Sequence, residues 1–533
     1  MKPSTKVRVC VWALLPLLFG PGTDAQPPGG KLVLNSMQRR GKQIYLRGEG
    51  GSDAPVHALL GDPPMQVSAK MLPCVNCHGY SGRGIPEGGV TPSNVAWSAL
   101  TKSYGTVHAT GRRHGPYDEN TLKRAISKGI DPAGNTLGVG MPKFQMGDED
   151  FEALIAYLKC IEYDRDPGVS PSAVTIATVL PTDGAMAPIG REVEAILRAY
   201  VEDINANDGI YHRRIELRVI PAASSPEKTI DRLGAALDAD ETFALVAPLV
   251  PRGESQLAAL ADRRGIPVIA SLGASPDDMI GPSRYLFYLS PGPSVQARAL
   301  AEYGFQKLQN AESPKAAIIT KAGKPYEALS DAIASQCRKR GMKLQVIAPY
   351  AADSFAPELL AWQQVGSDGL FFVGPDADAV PLLEKIAANG HPPEVLLMGS
   401  LLSGPIFKAP RVFEGKISAV FPNSLSAQSQ EALQEYDTFL KNHGLSGRRS
   451  APRLAAYCAA RVMVEALKKS GRELRREHLM RELEGFWDYE TGLSPPLTFG
   501  PNRRVGAFGA YPVSIDLEAQ SFNSALPWID LEQ

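Results

Sequence analysis

Sulfur is scarce in this chain: six cysteines among 533 residues are too few to scaffold a protein of that size with disulfides. Charge of one sign is lacking too, with 56 Lys and Arg against 57 Asp and Glu. That balance argues against nucleic acid or a charged membrane surface as a general partner. No apolar run reaches the ~20 residues of a membrane-spanning helix; the longest, Val9 to Phe19, is about half that. The C-terminal two thirds show no Ser/His/Asp spacing, no phosphate loop and no carboxylate pair. The histidines there (His212, His391, His443 and His478) are scattered.

What is present begins at the N-terminus. Lys2, Lys6 and Arg8 form a positive n-region, Val9 to Phe19 an apolar core, and Thr23-Asp24-Ala25 a small-residue cleavage site. Residues 1–25 therefore read as a cleaved signal peptide, followed by a short lead-in over 26–41. Cys10 has no small-residue lipobox before it, so it does not read as a lipidation site. The expectation is a periplasmic mature chain with no membrane span. At roughly 100–200 residues per domain, the length predicts about three folded units.

The remaining cysteines are Cys74, Cys77, Cys160, Cys337 and Cys458, and two of them share one motif, Cys74-Val75-Asn76-Cys77-His78. Two intervening residues bring both sulfurs to one side of a helical turn, where each thiol can add across a haem vinyl group. The next residue, His78, is then directed at the iron. A zinc site would need a second ligand pair, and no other Cys-x-x-Cys exists here. A redox dithiol would follow a strand in a βαβ unit, which these surroundings do not resemble. The spacing thus predicts one covalent haem c held by Cys74 and Cys77, with His78 as an axial iron ligand.

Downstream, Gly138-Val139-Gly140-Met141-Pro142 offers a thioether in a Pro-bounded loop. Such a sulfur is a weak-field distal ligand that raises the potential, and Met141 is the expected second axial ligand. Met146 competes for the role, and His108 with His114 would be a bis-histidine alternative. Around these loops the sequence predicts a helix including Gly41 to Leu46. A second runs over Glu119 to Ser127, capped by Asp118 and stopped by Gly129. A third, Asp148 to Ile161, carries Phe151, Leu154, Ile155 and Leu158 at helical spacing.

With those residues in view, the region from 42 to 163 resembles a class I cytochrome c. The resemblance rests on Gly41…Tyr45, Cys74…Cys77-His78-Gly79, Gly129-Ile130-Asp131-Pro132, Met141-Pro142 and Leu154…Tyr157-Leu158. It implies an all-α fold with one exposed haem edge. Trp97, Tyr104 and Arg112, in a long intervening loop, are candidates to contact a propionate or the ring.

Residues 164–172 are rich in Pro, Gly, Asp and Ser and read as a linker. From Ala173 the pattern becomes alternating strands and helices. The strands are Val174 to Val179, Ile215 to Val219, Phe243 to Val246, Pro267 to Ala270, Ala316 to Thr320, Leu370 to Val373 and Val395 to Met398. Repeated βα units imply parallel sheets covered on both faces, with ligands at the carboxyl ends of the strands. Their number calls for two lobes. This stretch, 173–527, resembles the Leu/Ile/Val-binding-protein family of periplasmic solute-binding proteins. The carriers are Leu180-Pro181-Thr182-Asp183-Gly184…Gly190, Ile204-Asn205…Asp208-Gly209-Ile210, Gly265-Ile266-Pro267-Val268-Ile269, Gly273-Ala274-Ser275-Pro276 and Thr498-Phe499-Gly500.

The resemblance implies two α/β lobes hinged around a ligand cleft. Where the family holds an amino-acid carboxylate with hydroxyl side chains, this chain has Pro251 and Ala274, which cannot donate. The cleft is therefore expected to have moved toward a small organic acid, alcohol or amide. Arg252, Ser255, Ser271 and Ser275 are candidate contacts from one lobe, Tyr326 and Asp376 from the other. Cys337 and Cys458 are expected to be buried thiols. Together the segments predict a multidomain chain, not catalytic alone, that passes electrons to a redox partner such as a dehydrogenase or another cytochrome. Its second module would dock or sense a small molecule. The alternatives are the binding component of an ABC-type uptake system with a permease partner, or a ligand or redox sensor.

Overall fold

The computed structural model describes residues 32–531, apart from 52–54, 62, 87–90, 240, 274–275, 277–280, 310–313, 351–366, 389, 391, 424–428, 446–449 and 524–525. The expected signal peptide, residues 26–31, Ala274 and Ser275 lie outside the described residues. The chain divides into two compact units, Met1–Asp164 and Arg165–Gln533.

In the first unit, helix Ser36–Arg47 begins with a capping box between Asn35 and Gln38 and ends at Gly48 in the left-handed region. It packs on helix Asp148–Leu158. At their crossing, a Cβ on Gly41 would fall 1.9 Å from the Ala153 carbonyl oxygen, so only glycine permits this approach. Tyr45 and Tyr157 meet there with ring centroids 5.6 Å apart. A second capping box, Asp118 with Thr121, starts helix Glu119–Lys128, and left-handed Gly129 stops it. Leu122, Ala125 and Ile126 join Ile44, Tyr45, Phe151 and Leu154 in one core.

The unit also carries strands. His57–Leu60 pairs antiparallel with both Met65–Ser68 and Lys143–Gln145. Thr106–Val107 pairs with Arg113–His114. These segments are too short for hydrophobic periodicity to announce them.

Among the described residues the second unit has two sheets. The first is parallel throughout, in the order Arg214–Pro221, Ala173–Leu180, Ala244–Val246, Val268–Ile269. The second sheet runs Lys343–Tyr350, Lys315–Lys321, Gly369–Val373, Glu394–Met398, Ile417–Phe421, all parallel, and then adds Gly509–Asp516 antiparallel. After Ile417–Phe421 the chain returns to the first lobe. Leu454, Met463 and Leu479, from helices Ala451–Lys469 and Arg476–Glu484, pack in one core with Val174, Ile196 and Val246. The result is two α/β lobes, as the βα alternation implied.

The segment read as a linker is largely part of this unit. The Arg476 amide donates to Asp166 at 2.6 Å, and the Thr175 amide donates to the Gly168 carbonyl at 2.8 Å. Asp164, by contrast, is held in the first unit by Tyr157 at 2.8 Å and Lys42 at 2.8 Å.

Candidate functional site

The five-residue helix Cys74–His78 is preceded by Pro73, which sets the extended entry, and followed by Gly79 at φ 72°. The fully buried Tyr45 donates to the Gly79 carbonyl at 2.6 Å, tying this turn to the N-terminal helix. Val75 buries against the core, with Cys74 packed beside it. Neither Cys74 nor Cys77 is in a disulfide among the described residues, and burial pushes the Cys74 thiol up to about 12.

His78 is buried, and its Nδ1 lies 2.8 Å from the Ser93 carbonyl oxygen. A carbonyl only accepts, so Nδ1 carries the proton and Nε2 is the lone-pair nitrogen. Burial also lowers the imidazole pKa, outweighing the opposing effect of that hydrogen bond. A neutral, oriented imidazole with a free Nε2 is what an iron ligand requires. Two thiols one helical turn apart, placed to add across two vinyl groups, make the turn fit a covalently attached haem. The Ser93 contact had no sequence signal, because any residue presents a carbonyl.

Met141 is half-buried, its amide donating to Gly138 at 2.9 Å. It rests against the same core as Val75 and Leu137, as does Met146. The loop before it is shaped by Asp131, fully buried, which accepts from the amides of Ala133 and Asn135, both at 2.9 Å. Arg112 donates to Asp131 at 2.6 Å and Arg124 to its carbonyl at 2.6 Å. Burial would raise the Asp131 pKa, but Asn135 and Arg112 prevail and hold it below the ordinary carboxylate range.

His108 and His114, the bis-histidine alternative, face each other with their Nε2 atoms 3.0 Å apart, and Arg112 also reaches His108 at 2.9 Å. Trp97 is half-buried under Lys159, whose ammonium lies 5.2 Å from the ring centroid. Tyr104 is exposed.

In the second unit the candidate contacts divide by lobe. Arg252, Ser255 and Ser271 lie beyond the carboxyl ends of Ala244–Val246 and Val268–Ile269. Arg252 is exposed at φ 58°, and Ser255 donates to Gln256 at 2.9 Å on the surface. Ser271 is buried, its hydroxyl accepting from the Gly273 amide at 3.4 Å. Ala247 and Ala270, at the ends of the same two strands, also hold left-handed backbones, φ 45° and 57°. Strain of this kind gathers at functional edges.

Tyr326 is half-buried against the second-lobe core. Asp376 is fully buried and already engaged. It accepts from the Ser403 amide and hydroxyl at 3.1 and 2.8 Å, and from the amides of Gly404 and Ile406 at 2.9 and 3.2 Å. Burial would raise its pKa, yet these donors hold it low. That carboxylate organises its own lobe, leaving little capacity for a ligand. Sequence reasoning missed two clusters at the strand ends. In one, Asp378 accepts from Lys321 and from Tyr350, both at 2.9 Å. The other surrounds Glu254.

Among the described residues no helix is long and apolar enough to cross a membrane. Family comparisons agree with this division of the chain. The model described as periplasmic binding protein matches residues 173–519, and that described as cytochrome c matches residues 68–162. None of the curated proteins compared with the chain matches it. Solved structures similar in fold include a fatty acid ABC transporter substrate-binding protein from Thermomonospora curvata, with 17% identity and TM-score 0.52, covering 68% of this chain and 94% of that one. A branched chain amino acid ABC transporter from Thermus thermophilus with bound valine has 15% identity and TM-score 0.52, covering 68% and 98%. A periplasmic binding protein type 1 from Bordetella pertussis Tohama I has 15% identity and TM-score 0.50, covering 67% and 100%.

Proposed function

Since this chain belongs to the periplasmic binding protein family and carries a cytochrome c domain ahead of that module, we propose that it is an exported electron-transfer protein. In this reading Cys74 and Cys77 anchor one haem through thioethers, and His78 with Met141 holds its iron. Bound haem would supply a one-electron couple. The second unit docks or senses a small ligand beside a periplasmic dehydrogenase or another redox partner.

The observation that carries the reading is the His78 tautomer. With Nδ1 committed to Ser93, Nε2 is free beside two thiols on the same helical turn. Asp131, through Arg112 and Asn135, fixes the loop that leads to Met141. If Met141 fills the sixth position, the chain does no oxygen or peroxide chemistry by itself.

A second reading has one observation in its favour: two of these fold relatives are named as ABC transporter proteins. On that view the second unit delivers a solute to a permease and the haem is an attachment. A ligand or redox sensor is the third form.

Potentiometric titration of the exported protein, with and without ligand, separates the three. An electron carrier shows one reversible one-electron couple that ligand leaves in place, and it exchanges electrons rapidly with a partner dehydrogenase or cytochrome. A sensor shows a ligand-shifted potential and, by linkage, an affinity that depends on oxidation state. Tight binding in both oxidation states with no electron exchange leaves the uptake role. The absence of any reversible couple would overturn the proposal.

A further inference from the structure

Glu254 opens helix Glu254–Arg264, directly beyond strand Ala244–Val246. Both of its carboxyl oxygens are buried, and among the described residues neither has a hydrogen-bond partner. The carboxyl lies against the backbone of Gly273, where a Cβ would fall 1.9 Å from Oε2. Glycine at that position is what gives the carboxyl its room. Gly273 follows strand Val268–Ile269, which pairs directly with Ala244–Val246, so the carboxyl sits between the carboxyl ends of two adjacent parallel strands. Open α/β sheets place their ligands at such ends.

Two hydroxyls face Glu254. Ser271 is buried, and Tyr288 is completely buried with a phenol oxygen that also has no hydrogen-bond partner among the described residues. Both stand close enough to influence the carboxyl's ionisation without completing a hydrogen bond of normal geometry. Burial raises the Glu254 pKa against the opposing effect of Ser271 and Tyr288. Unmet buried polar atoms are costly, and an uncompensated buried carboxylate costs more and tends to take up a proton. A carboxylic acid, a phenol and an aliphatic hydroxyl each donate and accept, and none carries a fixed charge.

We infer that Glu254, Tyr288 and Ser271 form the first lobe's recognition site for a small neutral ligand whose polar group both donates and accepts, a hydroxyl or a primary amide. This rests on the reading of the second unit as a solute binder and gives that unit a ligand class. A ligand carboxylate would bring a charge that none of Glu254, Tyr288 and Ser271 can offset. A ligand ammonium would require Glu254 to ionise in a buried site.

The test uses the haem-loaded full chain and four matched probes at pH 7: propane-1,2-diol, propionamide, propionate and propylamine. Binding is measured by calorimetry and by the shift in melting temperature. The expected result is binding of the diol or the amide, at least tenfold weaker binding of the two charged probes, and at least tenfold loss in E254A and Y288F. E254Q, neutral and able to donate and accept, should stay within about threefold of the parent. Loss in E254Q together with binding of propylamine would mean that Glu254 acts as a carboxylate, which overturns the inference. Binding of any probe with unchanged affinity in all three variants would also overturn it, while leaving the solute-binding reading intact. No binding by any of the four probes overturns the inference; if a wide panel of solutes also fails, the solute-binding reading falls with it.

Discussion

The Nδ1 atom of His78 donates to the carbonyl of Ser93 across 2.8 Å, and this one bond decides which face of the imidazole is offered to a metal. Had the carbonyl faced Nε2 instead, the lone pair would lie on Nδ1 and the imidazole would offer a metal its other edge. H78A should therefore leave any attached haem without its proximal nitrogen. The visible and electron paramagnetic resonance spectra should change to high spin, or to a foreign ligand. A parent-like low-spin spectrum in H78A would remove His78 from the iron.

Met141 is the expected distal ligand. M141A should open the sixth position, lower the midpoint potential and abolish the near-infrared thioether-to-iron band, whereas M146A should leave all three as in the parent. The reverse pattern would give the role to Met146, which rests on the same core.

Gly41 carries the helix crossing of the first unit. In G41A the added Cβ meets the Ala153 carbonyl at 1.9 Å, so a helix must shift. Overpacking of this kind costs about 1–3 kcal/mol. Denaturation followed at the haem absorbance should show the earlier midpoint, with the second unit's far-UV transition unmoved.

Asp131 contributes pH-dependent stability of known sign. Its folded pKa is depressed, so its contribution is complete above the unfolded carboxylate value of about 4 and is lost as pH falls below that value. The first unit should weaken with acid more steeply in the parent than in D131A. At pH 7 the variant should be less stable by about 3–5 kcal/mol, because Arg112 and the loop amides lose a buried partner. Melts from pH 7 to 3 measure both effects.

Asp376 separates a structural carboxylate from a ligand contact. D376A should lower the second unit's melting temperature by unpairing Ser403, Gly404 and Ile406. The dissociation constant of any bound solute should change by no more than about threefold, under 1 kcal/mol.

Much of this was written locally. The caps Asp118 and Gly129 lie within a helix length of each other, and Cys74 to His78 is a single turn, so neighbouring residues were enough to announce them. The alternation of β-branched strands with helices announced two parallel lobes. Strand Lys343–Tyr350 escaped notice because it lies at the edge of its sheet, where lysine, glutamine and Pro349 are tolerated. Ser93, Glu254 and Tyr288 escaped for a different reason. Their roles arise where distant segments meet, through a backbone carbonyl or a gap left by Gly273, and neither has a residue pattern. Asp376 looked like a free loop acid beyond a strand; only the fold shows four donors already pointing at it.

The most direct test of the account is the intact mass and visible spectrum of the exported protein after acid–acetone extraction, followed by peptide mapping. One haem should remain with the polypeptide through extraction, on the peptide containing Cys74 and Cys77, and be lost from the double variant C74S/C77S. Haem that extracts freely from the parent, or that maps to any other peptide, would contradict the assignment of this helical turn as the haem anchor.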